Sequence, residues 1–130
     1  KLNTSLNKNT LEQIISKKDL KEFQDLIINI PVADNVIKYA VDFVHKTRPN
    51  YKNSPKITKK YLDWGAGPRA SSYLILAAKA YAVLNGCPTP EIEHVNSVVN
   101  PILRHRIIPN FNSEAEGIKR DDILNELLNS

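Results

Sequence analysis

Cysteine and methionine are almost missing from the chain. The 130 residues include one cysteine, Cys87, so no intramolecular disulfide can form. Cys87 has no basic residue beside it that could activate it as a catalytic thiol. The three histidines, His45, His94 and His105, lack the i, i+4 spacing of a helical zinc site, so we expect no metal. Methionine is absent, which we interpret as excision from a longer protein rather than loss of an initiator. The single cysteine fits a reducing compartment, so we expect the cytoplasm, although a cysteine-poor secreted protein would have the same composition.

Long apolar runs are also missing. No stretch approaches the roughly 18 consecutive apolar residues of a membrane span, and the polar start of the chain lacks the apolar part of a signal peptide. The net charge of +4 and the pI near 9.2 would tolerate a polyanionic partner without requiring one. We therefore expect a soluble protein without membrane contact.

Lysines are concentrated between residues 49 and 63, together with prolines and asparagines. This composition predicts an exposed loop with at most a turn of helix near its end, and no part in the core. Little aromatic character is interleaved with Lys52, Lys56, Lys59 and Lys60, so nucleic-acid binding is not expected.

Length and periodicity predict one helical domain. A chain of 130 residues with 42% hydrophobic content suits a single core. Residues 1–15 are expected to be a connector from an upstream domain, and residues 16–130 to form the domain itself. No β-strand alternation of useful length occurs, although residues 106–111 could be extended. The fold class is all-α, a bundle of about five or six helices.

Two helices are expected before residue 50. Ser16 and Asp19 form a capping-box pattern that begins the first, over about 17–28. Pro31 ends that helix, and the second covers about 34–47. The residues expected to be buried are Leu20, Phe23, Leu26 and Ile27 in the first helix, and Val36, Ile37, Ala40, Val41 and Val44 in the second.

The segment 68–85 is the strongest helix in the sequence. Pro68 suits the first helical position, and Gly86 suits the left-handed position after the last turn. Alanines between them allow neighbouring helices to approach closely, so we expect this helix at the centre of the bundle. The expected inner stripe is Ala70, Leu74, Ala77, Tyr81 and Leu84.

Further helices are expected after residue 88. Thr89 is the predicted N-cap of a helix that Pro101 should break or kink. A short helix through 102–107 and an irregular stretch to Gly117 follow. The last helix is expected over about 120–128, with an inner face of Ile123, Leu124, Leu127 and Leu128.

A lone arginine, Arg69, lies in the first turn of the most apolar helix. The unpaired N–H groups and the positive end of the helix dipole make a guanidinium unfavourable there unless an anion arrives. Arginine also binds phosphate oxygens through planar, bidentate hydrogen bonds. Arg69 is therefore a candidate phosphate ligand; the alternative is a solvated side chain paired with Asp63.

Several segments, in order, resemble the lid domain of MoxR-type AAA+ ATPases. The family's usual forms are a helix ending in Thr-Arg, the run G-A-S-P-R-A, a TPEDV-like turn and an L-x-HR segment. This chain has PVADNVIKYAVDFVHKTR, GAGPRAS with an alanine-rich helix after it, TPEIEHV and ILRHRII. The resemblance covers roughly residues 16 to 129 and implies the C-terminal lid of such an ATPase.

By this resemblance Arg69 matches the sensor 2 arginine, which reaches from the lid to the γ-phosphate of ATP. Gly67, Pro68 and Ala70 would lie near the nucleotide. The family often has serine where this chain has Gly67, but a glycine N-cap tolerates the same geometry.

Arg48, Arg104 and Arg106 are candidates for a subunit interface or a secondary basic patch. A cation near a helix C-terminus is stabilising by itself, so a solvated helix end explains each of them equally well.

The resemblance also implies partners and cofactors. ATP and Mg²⁺ would be bound mainly by the AAA+ core domain, because these 130 residues contain no G-x-x-x-x-G-K-[ST] phosphate loop. The chain alone is therefore not expected to hydrolyse ATP. The parent would form a ring, expected to be a hexamer, and act as a chaperone-like remodeller beside proteins with von Willebrand factor A domains.

A freestanding helical DNA-binding or adaptor module is the alternative function, motivated by net charge and helix count. A helix-turn-helix protein needs polar, base-reading residues on an exposed recognition helix. The helix at 68–85 is too apolar for that role.

Overall fold

The chain folds into a bundle of helices with a short β-ribbon at one side. The structure, a computed structural model, describes residues 12–130, so most of the predicted connector 1–15 lies outside the described residues. Among residues 12–130, none of the helices combines the length and the apolar character that crossing a bilayer requires. The elements are α1 (Lys17–Asn29), α2 (Asp34–Lys46), α3 (Lys56–Tyr61), β1 (Leu62–Trp64), α4 (Arg69–Leu84), α5 (Ile92–Leu103), β2 (Ile108–Pro109), α6 (Phe111–Ala115) and α7 (Arg120–Leu128).

The predicted all-α class is confirmed. The described residues form seven helices; α3 lies where a turn of helix was expected near the end of the stretch 49–63, and the short α6 was not predicted. Strands β1 and β2 pair antiparallel, with Leu62 opposite Pro109, so part of the stretch 106–111 is indeed extended.

Helix α4 lies at the centre, as predicted, and packs most extensively against α5, with α1 and α2 also against it. Its fully buried residues follow each other at every fourth position. That row turns by about 40° per step around the helix, so the far end of α4 buries a different face from the predicted one. Tyr81 and Leu84 are therefore 40% and 84% exposed. The buried row is Ala70, Leu74, Ala78 and Ala82.

Helix α1 begins at the predicted capping box. The Asp19 N–H donates to Ser16 Oγ at 3.1 Å, and the Ser16 N–H donates to Asp19 Oδ2 at 3.0 Å. The predicted burial of this helix is wrong, because α1 lies on the outside of α4, where Lys79 Nζ donates to the Ile28 carbonyl oxygen at 2.8 Å and Ile27 is only partly buried. No residue of α1 is buried, and the exposed fractions are 52% for Leu20, 52% for Phe23 and 57% for Leu26.

Helices α2 and α7 bury most of the predicted residues. In α2, Phe43 takes an inner position, while Ile37 is 38% exposed and Val41 is half-buried. Helix α7 has the predicted bounds, and only Leu128 on its inner face is not fully buried. The buried residues of the two helices are Val36, Ala40, Phe43, Val44, Ile123, Leu124 and Leu127.

The segment between α2 and α4 takes part in the core, contrary to the prediction. Leu62 and Thr58 are buried in it, within the lysine-rich stretch expected to be an exposed loop. The Thr58 hydroxyl donates to the Lys46 carbonyl oxygen at 2.7 Å, which attaches α3 to the end of α2. Composition did not predict this packing, because the contact joins residues 12 positions apart in the sequence, Thr58 and Lys46.

Helix α5 departs from the prediction at both ends. Its N-cap is Glu91 rather than Thr89, and the Glu91 N–H donates to His94 Nδ1 at 3.0 Å. Pro101 does not break the helix, which continues to Leu103, so the separate helix predicted through 102–107 is wrong. Pro101 is exposed in the last turn, where the inner face is held by burial of Val99 and Leu103. That burial outweighs the single backbone hydrogen bond that proline removes.

A surface cluster of Lys60, Glu116 and the partly buried Tyr61 joins α3 to the residue after α6. The Tyr61 hydroxyl donates to Glu116 Oε2 at 2.6 Å, and Lys60 Nζ donates to the same atom at 3.1 Å. These hydrogen bonds, first that of Tyr61 and then that of Lys60, lower the pKa of Glu116 below its ordinary value of 4.5.

A pH dependence follows from the Glu116 cluster. Because the pKa of Glu116 is lower in the folded state, its contribution to stability is complete above pH 4.5 and is lost as the pH falls through the folded pKa. We expect the exposed Glu116→Gln variant to lose a little stability at neutral pH, and to lose less than the parent on acidification. Urea unfolding between about pH 6 and 3 measures both effects. The control is Glu114→Gln, which removes no ion pair among residues 12–130 and should keep the parent's dependence of unfolding free energy on pH. If Glu116→Gln also keeps that dependence, the prediction is contradicted.

Candidate functional site

Arg69 is the first residue of α4, and its side chain is exposed. Pro68 before it already has helical dihedral angles, φ −56° and ψ −36°, so the proline ring prepares the first turn. In the described part of the chain no side chain caps this helix end, and the Ala70 N–H donates to the Gly67 carbonyl oxygen at 3.0 Å. Within residues 12–130 Arg69 takes part in no ion pair, so the alternative pairing with Asp63 is not observed. The guanidinium therefore lies at the electropositive N-terminal end of α4, where both the guanidinium and the helix end would stabilise an anion.

A hollow of about 270 Å³ lies beside the loop that enters α4. Gly67 and Pro68 are exposed and line it, whereas the Ala70 side chain is buried in the core. Trp64, also on its wall, is 65% exposed. The other lining residues are Arg48, Pro49, Asn50, Asp63, Gly65 and Ala66.

The loop between β1 and α4 is fastened to the C-terminal end of α2. The Ala66 N–H donates to Thr47 Oγ1 at 3.0 Å, and Arg48 Nε donates to the Ala66 carbonyl oxygen at 2.9 Å. Gly65 lies so close to α2 that an added Cβ would be 2.6 Å from the Thr47 carbonyl carbon and 2.7 Å from Arg48 Cα. Thr47 and Gly65 were not predicted as site residues; the Thr-Arg ending of the helix and the first glycine of GAGPRA were the signals that could have identified them.

Arg104 and Arg106, two of the predicted basic candidates, each contact residues of a neighbouring helix. Arg104 Nη2 is 3.1 Å from Asp121 Oδ2, which joins it to α7. The Arg106 guanidinium carbon lies 4.6 Å from the centre of the Tyr73 ring, and its Nε donates to the Ile102 carbonyl oxygen at 3.0 Å. Tyr73 follows Arg69 by one helical turn, so Arg106 lies on the face of α4 that carries Arg69. In the part of the chain that the structure describes, no cluster of three or more His, Cys, Asp and Glu side chains could hold a metal ion.

Comparison with known proteins identifies the family. Residues 54–127 match the AAA lid domain family, which is more than half of the chain. The chain belongs to this family. The lid domain is also similar to chaperone MoxR1 of Mycobacterium tuberculosis, at 30% identity over 117 residues that make up 90% of this chain and 31% of that protein. The MoxR-type lid predicted from the sequence is thereby confirmed.

Two further relatives agree with this assignment. Uncharacterized protein YeaC of Bacillus subtilis is 29% identical over 121 residues, covering 93% of the lid and 35% of that protein. The crystal structure of a candidate ATPase from Cytophaga hutchinsonii superimposes with a TM-score of 0.84 at 32% identity, covering 95% of the lid and 38% of that chain. The lid domain thus spans about a third of the length of the two curated relatives.

Proposed function

We propose that this lid supplies Arg69 to the ATP site of a MoxR-type AAA+ ATPase, as a sensor 2 arginine. The observation that supports the proposal is the exposed Arg69 guanidinium at the start of α4, which has neither an ion-pair partner nor a side-chain cap beside it among residues 12–130. A cation held there without a carboxylate partner has its bidentate donors available for phosphate oxygens. Placing such a cation against the transferring phosphoryl group stabilises the charge of the transition state.

The remaining parts of the ATP site are proposed to lie on an AAA+ core domain. ATP and Mg²⁺ would be held mainly by that domain, since the 130 residues include no phosphate loop. The metal would neutralise phosphate charge, whereas this chain's contribution is Arg69, held by the loop of Gly67 and Pro68. The lid would then close or open with the nucleotide state, because a contact between Arg69 and the γ-phosphate exists only while that phosphate is present.

The proposal extends to the assembly of the whole protein. The relatives that match the lid are about three times as long as the matched segment, and one is named a chaperone. We propose a cytoplasmic ring, a hexamer, that remodels other proteins and acts beside a protein with a von Willebrand factor A domain. A freestanding DNA-binding or adaptor module is less well supported, because the apolar α4 is the central helix of the bundle and is not available as a recognition helix.

The test is the variant Arg69→Ala in the full-length ATPase. We expect kcat for ATP hydrolysis to fall about a hundredfold, equivalent to ~2.7 kcal/mol of transition-state stabilisation. Steady-state turnover together with the melting temperature measures the effect and checks that the fold is kept. Arg120→Ala is the matched control, because Arg120 is also the exposed first residue of a helix. Equal turnover of Arg69→Ala and Arg120→Ala would reject the sensor role.

A further inference from the structure

We infer that Thr47 and Arg48, at the C-terminal end of α2, are positioning residues that hold Arg69 in place for the γ-phosphate. This inference rests on the proposed function of Arg69 and adds the means by which its helix start is fixed. The two residues act on the loop before α4 and need not contact the nucleotide.

Ala66 is the point of attachment, three residues before Arg69. Both of its backbone polar groups are bound by consecutive residues of another element: the N–H by the Thr47 hydroxyl at 3.0 Å, and the carbonyl oxygen by Arg48 Nε at 2.9 Å. Ala66 is also completely buried. Two hydrogen bonds on opposite sides of one residue fix its orientation as well as its position, and in a buried place neither is readily exchanged for water.

Thr47 is suited to this role by its surroundings. It is completely buried, and its hydroxyl donates to the Val44 carbonyl oxygen at 2.7 Å, so that its lone pairs are left to accept from Ala66. The backbone at Gly65 also packs directly against the backbone of Thr47 and Arg48, without room for a Cβ. The loop therefore cannot slide along α2 without breaking these contacts.

Arg48 has a simpler explanation, a cation that stabilises a helix C-terminus, but that explanation does not account for its geometry. Charge alone requires no particular contact, whereas Arg48 Nε donates to one carbonyl oxygen of the loop. The Arg48 backbone is itself fixed, because its carbonyl oxygen accepts from the Tyr51 N–H at 3.1 Å and from the Ser54 hydroxyl. Because the Arg48 backbone is fixed, its side chain also fixes the position of the loop that precedes α4.

The functional consequence is a rate effect that passes through Arg69. A cation stabilises a transferring phosphoryl group only when its donors are already in place, and displacements near 1 Å can cost up to about a hundredfold in rate. Releasing Ala66 should therefore lower kcat through Arg69, with little effect on KM if the core domain provides most of the binding.

A double-mutant cycle in the full-length ATPase tests the inference. We expect Arg48→Met, which keeps the stem of the side chain but loses Nε, to lower kcat about tenfold in the wild-type background. In the Arg69→Ala background the same change should have no further effect on kcat. Thr47→Val should behave like Arg48→Met, while Thr47→Ser, which keeps the hydroxyl, should restore most of the rate.

The outcomes separate this inference from the proposed function. If Arg69→Ala lowers kcat but Arg48→Met has no effect, or lowers kcat equally in both backgrounds, then Arg69 is the sensor and the positioning role is wrong. Unchanged turnover in Arg69→Ala would overturn both. Amide hydrogen exchange at Ala66 provides a readout independent of catalysis: it should accelerate in Thr47→Val and not in Thr47→Ser, and equal protection in the two variants would also overturn the inference.

Discussion

The variant Gly65→Ala should be strongly destabilised, by about 3 kcal/mol, the upper part of the range for overpacking. The added methyl group would meet the carbonyl group of Thr47 and the Cα of Arg48, which are backbone atoms that cannot rotate away. The α2 end and the loop before α4 would have to separate, and the hydrogen bonds to Ala66 would weaken with them. Urea unfolding of the 130-residue chain measures the loss as a shift of the midpoint.

Gly67→Ala is the matched control for stability, two residues along the same loop. A Cβ at Gly67 would meet nothing within 4 Å, and Gly67 is not among the residues with positive φ. Its unfolding free energy should therefore stay within about 0.5 kcal/mol of the parent, or rise slightly because the unfolded chain loses freedom. Similar losses in the two variants would mean that the close packing of Gly65 on α2 is not what holds the loop.

Phe43→Ala should cost about 3–5 kcal/mol of unfolding free energy, the usual range for removing a buried aromatic side chain. Phe43 is 1% exposed within the main core, and the centre of its ring lies 6.3 Å from the centre of the Tyr39 ring. The loss combines the transfer of the ring to water with the cavity that remains, and denaturant unfolding measures it.

Phe23→Ala is the control for that substitution, because it removes the same side chain from a position that is 52% exposed. We expect a loss below about 1 kcal/mol. The comparison also tests the arrangement of α1, because the sequence pattern predicts a buried Phe23. A loss at Phe23 as large as that at Phe43 would show that α1 packs more deeply in solution.

The fold could be predicted where local signals decide it. The bounds of α7, the capping box of Ser16 and Asp19, and the left-handed Gly86 with φ +77° are set by residues close together in the sequence. The exposure of α1 could not be predicted, because an amphipathic pattern identifies the apolar face of a helix but not what covers that face. The break predicted at Pro101 does not occur for a related reason, because tertiary packing outweighs a local helix breaker.

The candidate site could likewise be predicted from the sequence only in part. Arg69 could be located from sequence because its position depends only on where α4 begins. The attachment of Ala66 could not be predicted, since Thr47 and Arg48 precede it by 19 and 18 residues and reach it only after α2 and the loop have packed. The match to the lid family starts at residue 54, after both of these residues.

The buried row of α4, which consists of Ala70, Leu74, Ala78 and Ala82, has a mechanical consequence. Ala70, its first member, is the neighbour of Arg69, and the row continues to Ala82 with no exposed member. Helix α4 packs most extensively against α5, and packed interiors deform very little. If Arg69 contacts a phosphate as proposed, a displacement of the start of α4 would therefore carry α5 with it.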